Sequence, residues 1–438
     1  MKARLITWTD LDAAEQDSLL ERPAVRDDAA IRQQAADIVA SVLSGGDATL
    51  RELTKRFDRA DLAELRVGDD EFEAAEAALS PDALRAIDTA IANVRAFHEA
   101  QRPASVDIET MPGIRCQRVS HALDAVGLYV PAGTAPLPSA AVMLAVPAAI
   151  AGCRRRILCT PPRSDGSGDP AVLTASRRAG VDTIFKIGGA QAIAAMAYGT
   201  ETVPRVNKIF GPGNAWVTAA KSLVAMDPGG AAIDLPAGPS EVLVIADANA
   251  EPTFVASDLL SQAEHGRDSQ VVLLATSEAL ARAVIGALGT QLARLPRRDI
   301  ATASLEHSRF IVVPDLQRAM EVSNRYAPEH LILHVADPRS WLPAIRNAGS
   351  IFLGPWSPES VGDYCSGTNH VLPTYGAARA YSGLSVDQFL RHMTIQELTQ
   401  SGLAAIAPAV IELARLEGLD AHAEAVRLRL PAMGGADR

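Results

Sequence analysis

The stretch from residue 241 to residue 276, EVLVIADANAEPTFVASDLLSQAEHGRDSQVVLLAT, decides the fold. Its two ends, EVLVIAD and QVVLLAT, are short apolar runs of the kind that form buried strands of a parallel sheet. The middle has the start signal of a helix at Pro252 and closes near Gly266. A strand, a helix and a second strand in this order predict a parallel βαβ unit.

The same alternation continues on both sides of this stretch. The runs AVGLYV, RRILCT and TIFKIG precede it, and RFIVVP, LILHV and SIFLG follow it, with helical segments between them. Residues 29–102 and residues 385–430 have helical spacing of their apolar positions. The pattern predicts a helical N-terminal region, a large α/β body and a small helical C-terminal unit.

Composition and charge restrict the class of protein. The 438 residues carry a net charge of −11 and only 4% aromatic side chains, and no long basic run occurs. Nucleic acid and anionic membrane surfaces both select clustered positive charge, so this composition disfavours them. We therefore expect no nucleic-acid partner and no membrane partner.

The cysteines and one uncharged stretch bear on location. Four cysteines occur without a CxxC pair, which excludes a zinc knuckle and is typical of a reducing cytoplasm. The start, MKARLITWTDLDAAEQD, lacks the apolar run of a signal peptide. Residues 125–153 hold no charge, but their prolines, glycines and alanines favour a strand, a loop and a buried helix over a membrane span. We expect a cytoplasmic protein.

Glycine-rich loops follow three of the predicted strands. The nearest match to a GxGxxG dinucleotide fingerprint, residues 166–171, lies in a polar loop and is interpreted as a turn. The three loops at strand ends are LYVPAGTAPLPSA (128–140), GGAQ (188–191) and GPGN (211–214). Each alone also fits a tight turn. Together they predict a crevice that holds a dinucleotide without the usual fingerprint.

Two short segments each contain a pair of neighbouring side chains that can bind a metal ion or accept protons. In SQAEHG (261–266), Gln262 and His265 are three residues apart, so they share a helix face and can grip a divalent metal. A lone histidine at a helix C-terminus also fits compensation of the helix dipole. In YAPEHL (326–331), Glu329 and His330 offer two proton acceptors at the mouth of a strand, with a surface turn as the alternative.

Two later segments carry Asp, Glu and His in glycine-rich surroundings. GDYCSGTNH (362–370) follows the run SIFLGPW, and EGLDAH (417–422) lies between two helical stretches near the C-terminus. Taken alone, the first fits an ordinary loop and the second an ordinary helix–turn–helix junction. Functional loops do, however, carry Asp and His together.

In this order, the four segments resemble the histidinol dehydrogenase family. The loops GLYVPAGTAPLPSA, FGPGNAWV and DLPAGPSEVLVIAD and the later YSGLSVDQF are also similar to that family, from about residue 30 to residue 430. The resemblance implies Glu329 and His330 as the catalytic pair. It implies one zinc per subunit held by Gln262, His265, Asp363 and His422. It further implies NAD contacts and substrate contacts, the former at Tyr129, Gln191 and Asn214, and the latter at Ser240, Gln262, His265, His330, Asp363, His370, Glu417 and His422.

The resemblance also implies an architecture and a partner. It predicts an α/β fold with two larger domains of incomplete Rossmann-like parallel sheets plus small N- and C-terminal helical units. The expected divisions are an N-terminal segment (1–28), a discontinuous first α/β domain (29–128 and 238–384), a second, NAD-contacting α/β domain (129–237) and a C-terminal helical unit (385–438). The family is a homodimer with shared active sites, so Glu417 and His422 are expected to complete the site of the partner subunit.

The implied chemistry is oxidation of L-histidinol, through the aldehyde, to L-histidine, the last steps of histidine biosynthesis. Removal of four electrons requires two hydride transfers and therefore two NAD. His330 suits the base that takes the hydroxyl proton, and Glu329 suits the base that deprotonates water for the aldehyde. Zinc suits an anchor for the nitrogens of the substrate. The alternatives are a related zinc/NAD dehydrogenase of another hydroxylated metabolite and a zinc hydrolase, whose frequent HExxH motif does not occur.

Overall fold

A computed structural model describes residues 5–22, 29–132, 135–235 and 238–430. The chain divides into two units, a larger one within Met1–Gln101 and Leu123–Phe389 and a smaller one within Arg102–Ala122 and Leu390–Arg438. The larger unit contains two parallel sheets, and the smaller unit contains an antiparallel one. The predicted α/β fold class is confirmed.

The first sheet of the larger unit has six strands, all paired in parallel. Their spatial order is β1 (Leu5–Thr7), β11 (Arg309–Val312), β10 (Gln270–Ala275), β9 (Glu241–Ala246), β12 (His330–His334) and β13 (Ser350–Leu353). The strands β9, β10 and β12 are buried along their whole length, which explains why they appear in the sequence as continuous apolar runs.

The second sheet has five parallel strands. Their spatial order is β6 (Thr183–Lys186), β5 (Arg155–Thr160), β4 (Ala125–Tyr129), β7 (Lys208–Phe210) and β8 (Ala232–Ile233). If the strands from β4 to β8 and from β9 to β13 are each counted along the chain, both sheets have the order 3-2-1-4-5. This order is that of the first five strands of a Rossmann sheet, with a switch point between the first and fourth strands.

Helices connect these strands and cover the sheets. Those that precede β5 are α1 (Ala13–Leu20), α2 (Ala29–Phe57, interrupted at Gly46), α3 (Asp69–Ala77), α4 (Pro81–Glu99) and α5 (Pro138–Ala151). Those that follow it are α6 (Pro170–Arg178), α7 (Gly189–Tyr198), α8 (Ala215–Met226), α9 (Pro252–Ala263), α10 (Glu278–Leu292), α11 (Arg298–Glu306), α12 (Leu316–Tyr326) and α13 (Glu359–Tyr364). Short 3₁₀ turns occupy Trp8–Asp10, Pro338–Ala344, Ala377–Arg379 and Val386–Phe389.

The uncharged stretch folds as the strand β4 and the buried helix α5, as the sequence predicts. Helix α5 begins at Pro138, where a missing N–H costs no helix hydrogen bond, and ends at Gly152 in the left-handed conformation. None of the helices in the described ranges is both long and apolar enough to cross a bilayer.

The N-terminal helices pack with the second sheet. Side chains of α2 such as Val39 and Leu50 share one hydrophobic core with Ile157 and Phe185 of that sheet. The predicted first domain instead groups 29–128 with 238–384, and the predicted second domain begins at residue 129, after most of β4. The reason for the difference is that amphipathic spacing shows which helix face is buried, but not which sheet buries it.

The smaller unit is not purely helical, so the prediction of a helical unit over 385–438 is wrong in this respect. Residues 390–398 form the strand β14 (Leu390–Leu398), which pairs antiparallel with β3 (Ile114–Ala122), itself paired with β2 (Val106–Met111). The helices α14 (Gln400–Leu416) and α15 (Asp420–Arg427) follow. The partner of β14, strand β3, lies more than 260 residues earlier in the chain, so the local spacing of apolar residues could not reveal this pairing.

Candidate active site at the amino edge of the first sheet

The predicted catalytic pair lies at the start of β12. Helix α12 ends at Ala327, which has a left-handed backbone (φ 54°), and Pro328 then leads into Glu329 and His330. Both side chains are buried. Strand β12 pairs with β9, so the pair lies beside the first residues of β9. The site is therefore at the amino edge of the first sheet.

One residue of β9 contacts both members of the pair through its backbone. The N–H of Glu241 donates to Oε2 of Glu329 at 2.8 Å. The Nδ1 of His330 lies 3.1 Å from the carbonyl oxygen of Glu241. Because a carbonyl only accepts, this contact places a proton on Nδ1 and leaves Nε2 with a lone pair. That Nε2 is buried and has no hydrogen-bond partner among the described residues.

Burial shifts the pKa of each member of the pair toward its neutral form. Burial raises the pKa of Glu329 well above its usual value, and the nearby charges of Glu241 and Asp363 add to the rise. Burial also lowers the pKa of His330 below that of an ordinary histidine. A neutral imidazole is a proton acceptor, and a carboxylate with a raised pKa is a stronger base than an ordinary one.

Three of the four predicted zinc ligands converge next to this pair. Gln262 lies in the last turn of α9, His265 lies in the turn that follows this helix, and Asp363 comes from α13. The Nε2 of His265 is 3.7 Å from Oδ2 of Asp363, and the Nε2 of His330 is 3.8 Å from Oδ1. The amide of Gln262 is 3.4 Å from Nδ1 of His265. The local helix spacing and the loop before β10 thus bring the predicted ligands together.

The donor set fits a zinc ion. Gln262 is fully buried, yet its Oε1 has no hydrogen-bond partner within the part of the chain that the structure describes. A buried amide oxygen without a partner costs free energy unless something binds it. An amide oxygen, an imidazole nitrogen and a carboxylate are nitrogen and oxygen donors of the kind that zinc takes.

Glu359 is a further acidic residue of the site that the sequence reading missed. Ligand atoms of His330, Glu359 and Asp363 all lie within 4.8 Å of one another. Glu359 is buried, its Oε1 is 3.8 Å from Nδ1 of His330, and its Oε2 is 3.4 Å from Oγ of Ser261. Burial raises its pKa well above the usual value, with help from Asp363. The available signal was its position four residues before Asp363, which puts both on one helix face.

Two of the predicted substrate contacts adjoin the cluster. His370 is half-buried, and its Nδ1 lies 2.8 Å from the backbone carbonyl oxygen of Asp363. Ser240 is half-buried and directly precedes Glu241, and its carbonyl accepts from the N–H of Gln270 at 3.1 Å. Both side chains therefore remain accessible beside the catalytic pair.

Glu417 and His422 belong to the smaller unit. Glu417 ends α14, His422 lies in the first turn of α15, and both are exposed. Their predicted place in the site of a partner subunit stays a prediction.

The predicted NAD contacts follow strands of the second sheet. Tyr129 ends β4 and is buried, and its hydroxyl accepts from the N–H of Gly189 at 2.9 Å. Gln191 lies buried in the first turn of α7. Asn214 is exposed and caps α8 by accepting from the N–H of Val217 at 3.1 Å. All three lie at the carboxyl edge of this sheet, where open α/β sheets bind ligands.

The loop after β7 approaches β4 closely at this edge. A side chain at Gly211 would place its Cβ 2.2 Å from the carbonyl oxygen of Tyr129, and Gly211 has a φ of 120° that favours glycine. The loop is held by Lys221, which donates to the carbonyl of Gly211 at 2.9 Å and pairs with the buried Asp234. The switch point between β4 and β7 is thus closely packed and well defined.

Comparison with known proteins identifies the family. The family model of histidinol dehydrogenase matches residues 20–430. The chain belongs to the histidinol dehydrogenase family. It is 55% identical to the histidinol dehydrogenase of Xanthomonas axonopodis pv. citri, over 98% of this chain and 99% of the relative. It is 52% identical to that of Vibrio cholerae, over 98% of each chain.

A solved structure gives the same result for the fold. The crystal structure of histidinol dehydrogenase from Elizabethkingia anophelis is 44% identical, covers 98% of each chain and superposes with a TM-score of 0.94. The histidinol dehydrogenase resemblance seen in the sequence is therefore confirmed. The chain is an NAD-dependent oxidoreductase that acts on a small molecule.

Proposed function

We propose that this chain oxidises L-histidinol, through the aldehyde, to L-histidine, with two NAD and one zinc ion per subunit. The observation that carries the proposal is the buried Glu329–His330 pair, whose free Nε2 lies beside Asp363 in a chain of this family. A base next to a cluster of metal donors suits an alcohol whose nitrogens bind a metal.

The zinc would be held by Gln262, His265 and Asp363, with His422 of the partner subunit as the fourth ligand. When bound, zinc would supply an anchor for the imidazole and amino nitrogens of the substrate and so orient the carbon that loses hydride. The unpartnered Oε1 of Gln262 and the short distance between His265 and Asp363 support this assignment.

The chain's own residues handle the protons of both oxidation steps. In the first step, Nε2 of His330 takes the hydroxyl proton while the carbon gives its hydride to NAD, which leaves the aldehyde and NADH. Water then adds to the aldehyde, and Glu329 takes the proton that this addition releases. The hydrated aldehyde gives a second hydride to a second NAD and becomes the carboxylic acid, which releases its remaining proton to water to leave the carboxylate.

Further residues define the two binding regions. Ser240 and His370, together with Glu417 of the partner subunit, are proposed to line the substrate site. Tyr129, Gln191 and Asn214 are proposed to contact NAD at the carboxyl edge of the second sheet. The support for this division is geometric. Ser240 directly precedes β9 at the amino edge of the first sheet, whereas Tyr129, Gln191 and Asn214 follow strands at the carboxyl edge of the second sheet.

The smaller unit supports a homodimer with shared sites. All six residues of β2 and eight of the nine residues of β14 are exposed in the single chain. Among them are apolar side chains at Ile108, Met393 and Ile395. A three-stranded sheet that exposes apolar residues needs a covering surface. A second copy of the chain is the proposed cover. The four free cysteines support a cytoplasmic location.

The test is turnover of L-histidinol by the zinc-loaded protein, followed through the absorbance of NADH. We expect two NADH per histidinol consumed and histidine as the product. Removal of zinc by a chelator should abolish turnover, and addition of zinc should restore it. A hydrolase would reduce no NAD, and a dehydrogenase of another alcohol would leave histidinol unchanged, so either result would contradict the proposal.

A further inference from the structure

Glu241 is the common contact of the catalytic pair, although it is not among the expected site residues. Its N–H holds the carboxylate of Glu329, and its carbonyl sets the tautomer of His330. A shift of this one backbone residue would move both groups at once. What holds Glu241 therefore determines the geometry of the pair.

The side chain of Glu241 is held by a buried network. Arg22 donates from Nε to Oε2 and from Nη2 to Oε1, each at 2.7 Å. The hydroxyl of Tyr326 donates to Oε2 at 3.1 Å. Glu241 is 1% exposed, so its carboxylate depends on these partners. A two-point guanidinium–carboxylate contact fixes direction as well as distance.

Arg22 also holds the chain segment that leads into the pair. Its Nη2 donates to the carbonyls of Tyr326 at 2.9 Å and of Ala327 at 3.3 Å. Its guanidinium lies 3.9 Å from the centre of the Tyr326 ring. Ala327 has a left-handed backbone, which a residue with a side chain keeps only when its surroundings hold it. Arg22 therefore reaches Glu329 and His330 from both sides, through β9 and through the end of α12.

We propose that Arg22, with Glu241 and Tyr326, is a positioning residue of the reaction: it holds the backbone that aims Nε2 of His330 and the carboxylate of Glu329. The assignment of roles to that pair rests on the proposed function. Arg22 comes from the N-terminal segment, 219 residues before Glu241. The segment thus contributes to catalysis through the contacts of Arg22 with Glu241, Tyr326 and Ala327.

The central experiment compares Arg22→Met with Arg178→Met in the zinc-loaded protein. Arg178 is the matched control because it also binds carboxylates at two points, those of Glu76 and Asp88, but lies away from the site on α6. We expect kcat for histidinol to fall about 10- to 100-fold in Arg22→Met, with KM for NAD and zinc content unchanged. Arg178→Met should keep kcat within about 2-fold. Equal kcat in the two variants would overturn the proposal.

Two milder substitutions keep the proposal testable if Arg22→Met does not fold. Arg22→Lys keeps the charge but loses the two-point contact, so kcat should lie between those of the wild type and Arg22→Met. Tyr326→Phe removes the hydroxyl that contacts both Glu241 and Gln270, and it should lower kcat about 3-fold. If Arg22→Met does not fold, the kcat values of these two variants test the positioning role instead. Wild-type kcat in both would contradict the proposal.

A second readout does not depend on turnover. In protein labelled with ¹⁵N-histidine, the shifts of the His330 ring nitrogens report the tautomer, and His330→Asn identifies the resonances. We expect a protonated Nδ1 in the wild type and in Arg178→Met, and a mixture of tautomers in Arg22→Met. An unchanged tautomer in Arg22→Met would overturn the positioning role. If the wild type does not oxidise histidinol, the proposed function fails, and this measurement still tests the inference.

Discussion

The two parallel sheets of the larger unit have the same strand order but carry their predicted sites at opposite edges. In the second sheet, the predicted NAD contacts lie at the carboxyl edge, near the switch point between β4 and β7. In the first sheet, the catalytic pair lies at the amino edge, beside the equivalent strands β9 and β12. Under the proposed function, the same pair of strand positions would therefore serve two different chemistries.

The difference follows from which helix ends meet at each edge. At the carboxyl edge of the second sheet, α7 and α8 begin, and helix N-termini present N–H groups and a positive dipole end. Such an edge suits the phosphates of a dinucleotide. At the amino edge of the first sheet, α9 and α12 end, and helix C-termini present carbonyls and a negative dipole end. That edge suits a metal cation and a proton-accepting pair.

The largest expected effect is at the catalytic pair. Glu329→Gln should stop aldehyde oxidation, with a loss of about 100- to 10,000-fold, because the carboxylate is the base for the hydration step. Oxidation of histidinol to the aldehyde should continue, because His330 serves that step. Assays with histidinol and with the aldehyde, read as NADH formed, separate the two steps. Loss of alcohol oxidation with intact aldehyde oxidation would contradict this division of labour.

Removal of a ligand at the same edge should act through the metal. His265→Ala should lower zinc affinity by at least about 10-fold, because one of the side chains proposed to bind the metal is lost. KM for NAD, set at the other sheet, should not change once zinc is supplied in excess. Metal analysis after dialysis measures the effect. The control is His307→Ala, an exposed histidine at the end of α11. Equal zinc content in both variants would refute the assignment of His265.

A change at the carboxyl edge of the second sheet should affect the cofactor alone. Asn214→Ala should raise KM for NAD about 10-fold and leave zinc content unchanged. It also removes the cap of α8, so the free energy of unfolding should fall by about 1 kcal/mol. Ser277→Ala removes the matching cap of α10 on the first sheet and controls for that loss. An unaltered KM in Asn214→Ala would argue against NAD at this edge.

The smallest expected effect is on stability near the second sheet. Burial raises the pKa of Asp58 from 3.8 to about 6, so its charged form destabilises the fold. Asp58→Asn should therefore stabilise the protein above pH 6. The gain should shrink as the pH falls from 6 toward 4, where the native carboxyl is already neutral in the wild type. At pH 8 we expect the free energy of unfolding to rise by about 1–2 kcal/mol. This is less than the full pKa shift of Asp58 would give, because the side chain is partly solvated.

Urea unfolding at pH 8 and at pH 4.5 measures this difference, with the exposed Glu73→Gln as the control. A gain that is the same at both pH values would show that ionisation of Asp58 is not its cause.

Much of the site is readable in the sequence because its residues sit in short segments with strong local geometry. Gln262 and His265 share a helix face, and Glu329 and His330 adjoin at a strand mouth, so each pair is visible over four residues or fewer. The sequence did not indicate Glu359, because a buried glutamate on a helix cannot be distinguished from a surface glutamate until its neighbours in the fold are known. The sequence did not indicate the contact between Arg22 and Glu241, because these residues are 219 positions apart in the chain.

The amino-acid sequence alone determined the alternation of strands and helices in the larger unit, the buried character of β9, β10 and β12 and the family to which the chain belongs, because these are properties of local spacing and of short ordered motifs. Only the tertiary structure decided that α2 packs on the second sheet, that residues 390–398 form a strand and that one arginine holds the catalytic pair from two sides. The physical reason is that pairing and packing between distant segments depend on which complementary surfaces meet, and a local pattern carries no record of its distant partner.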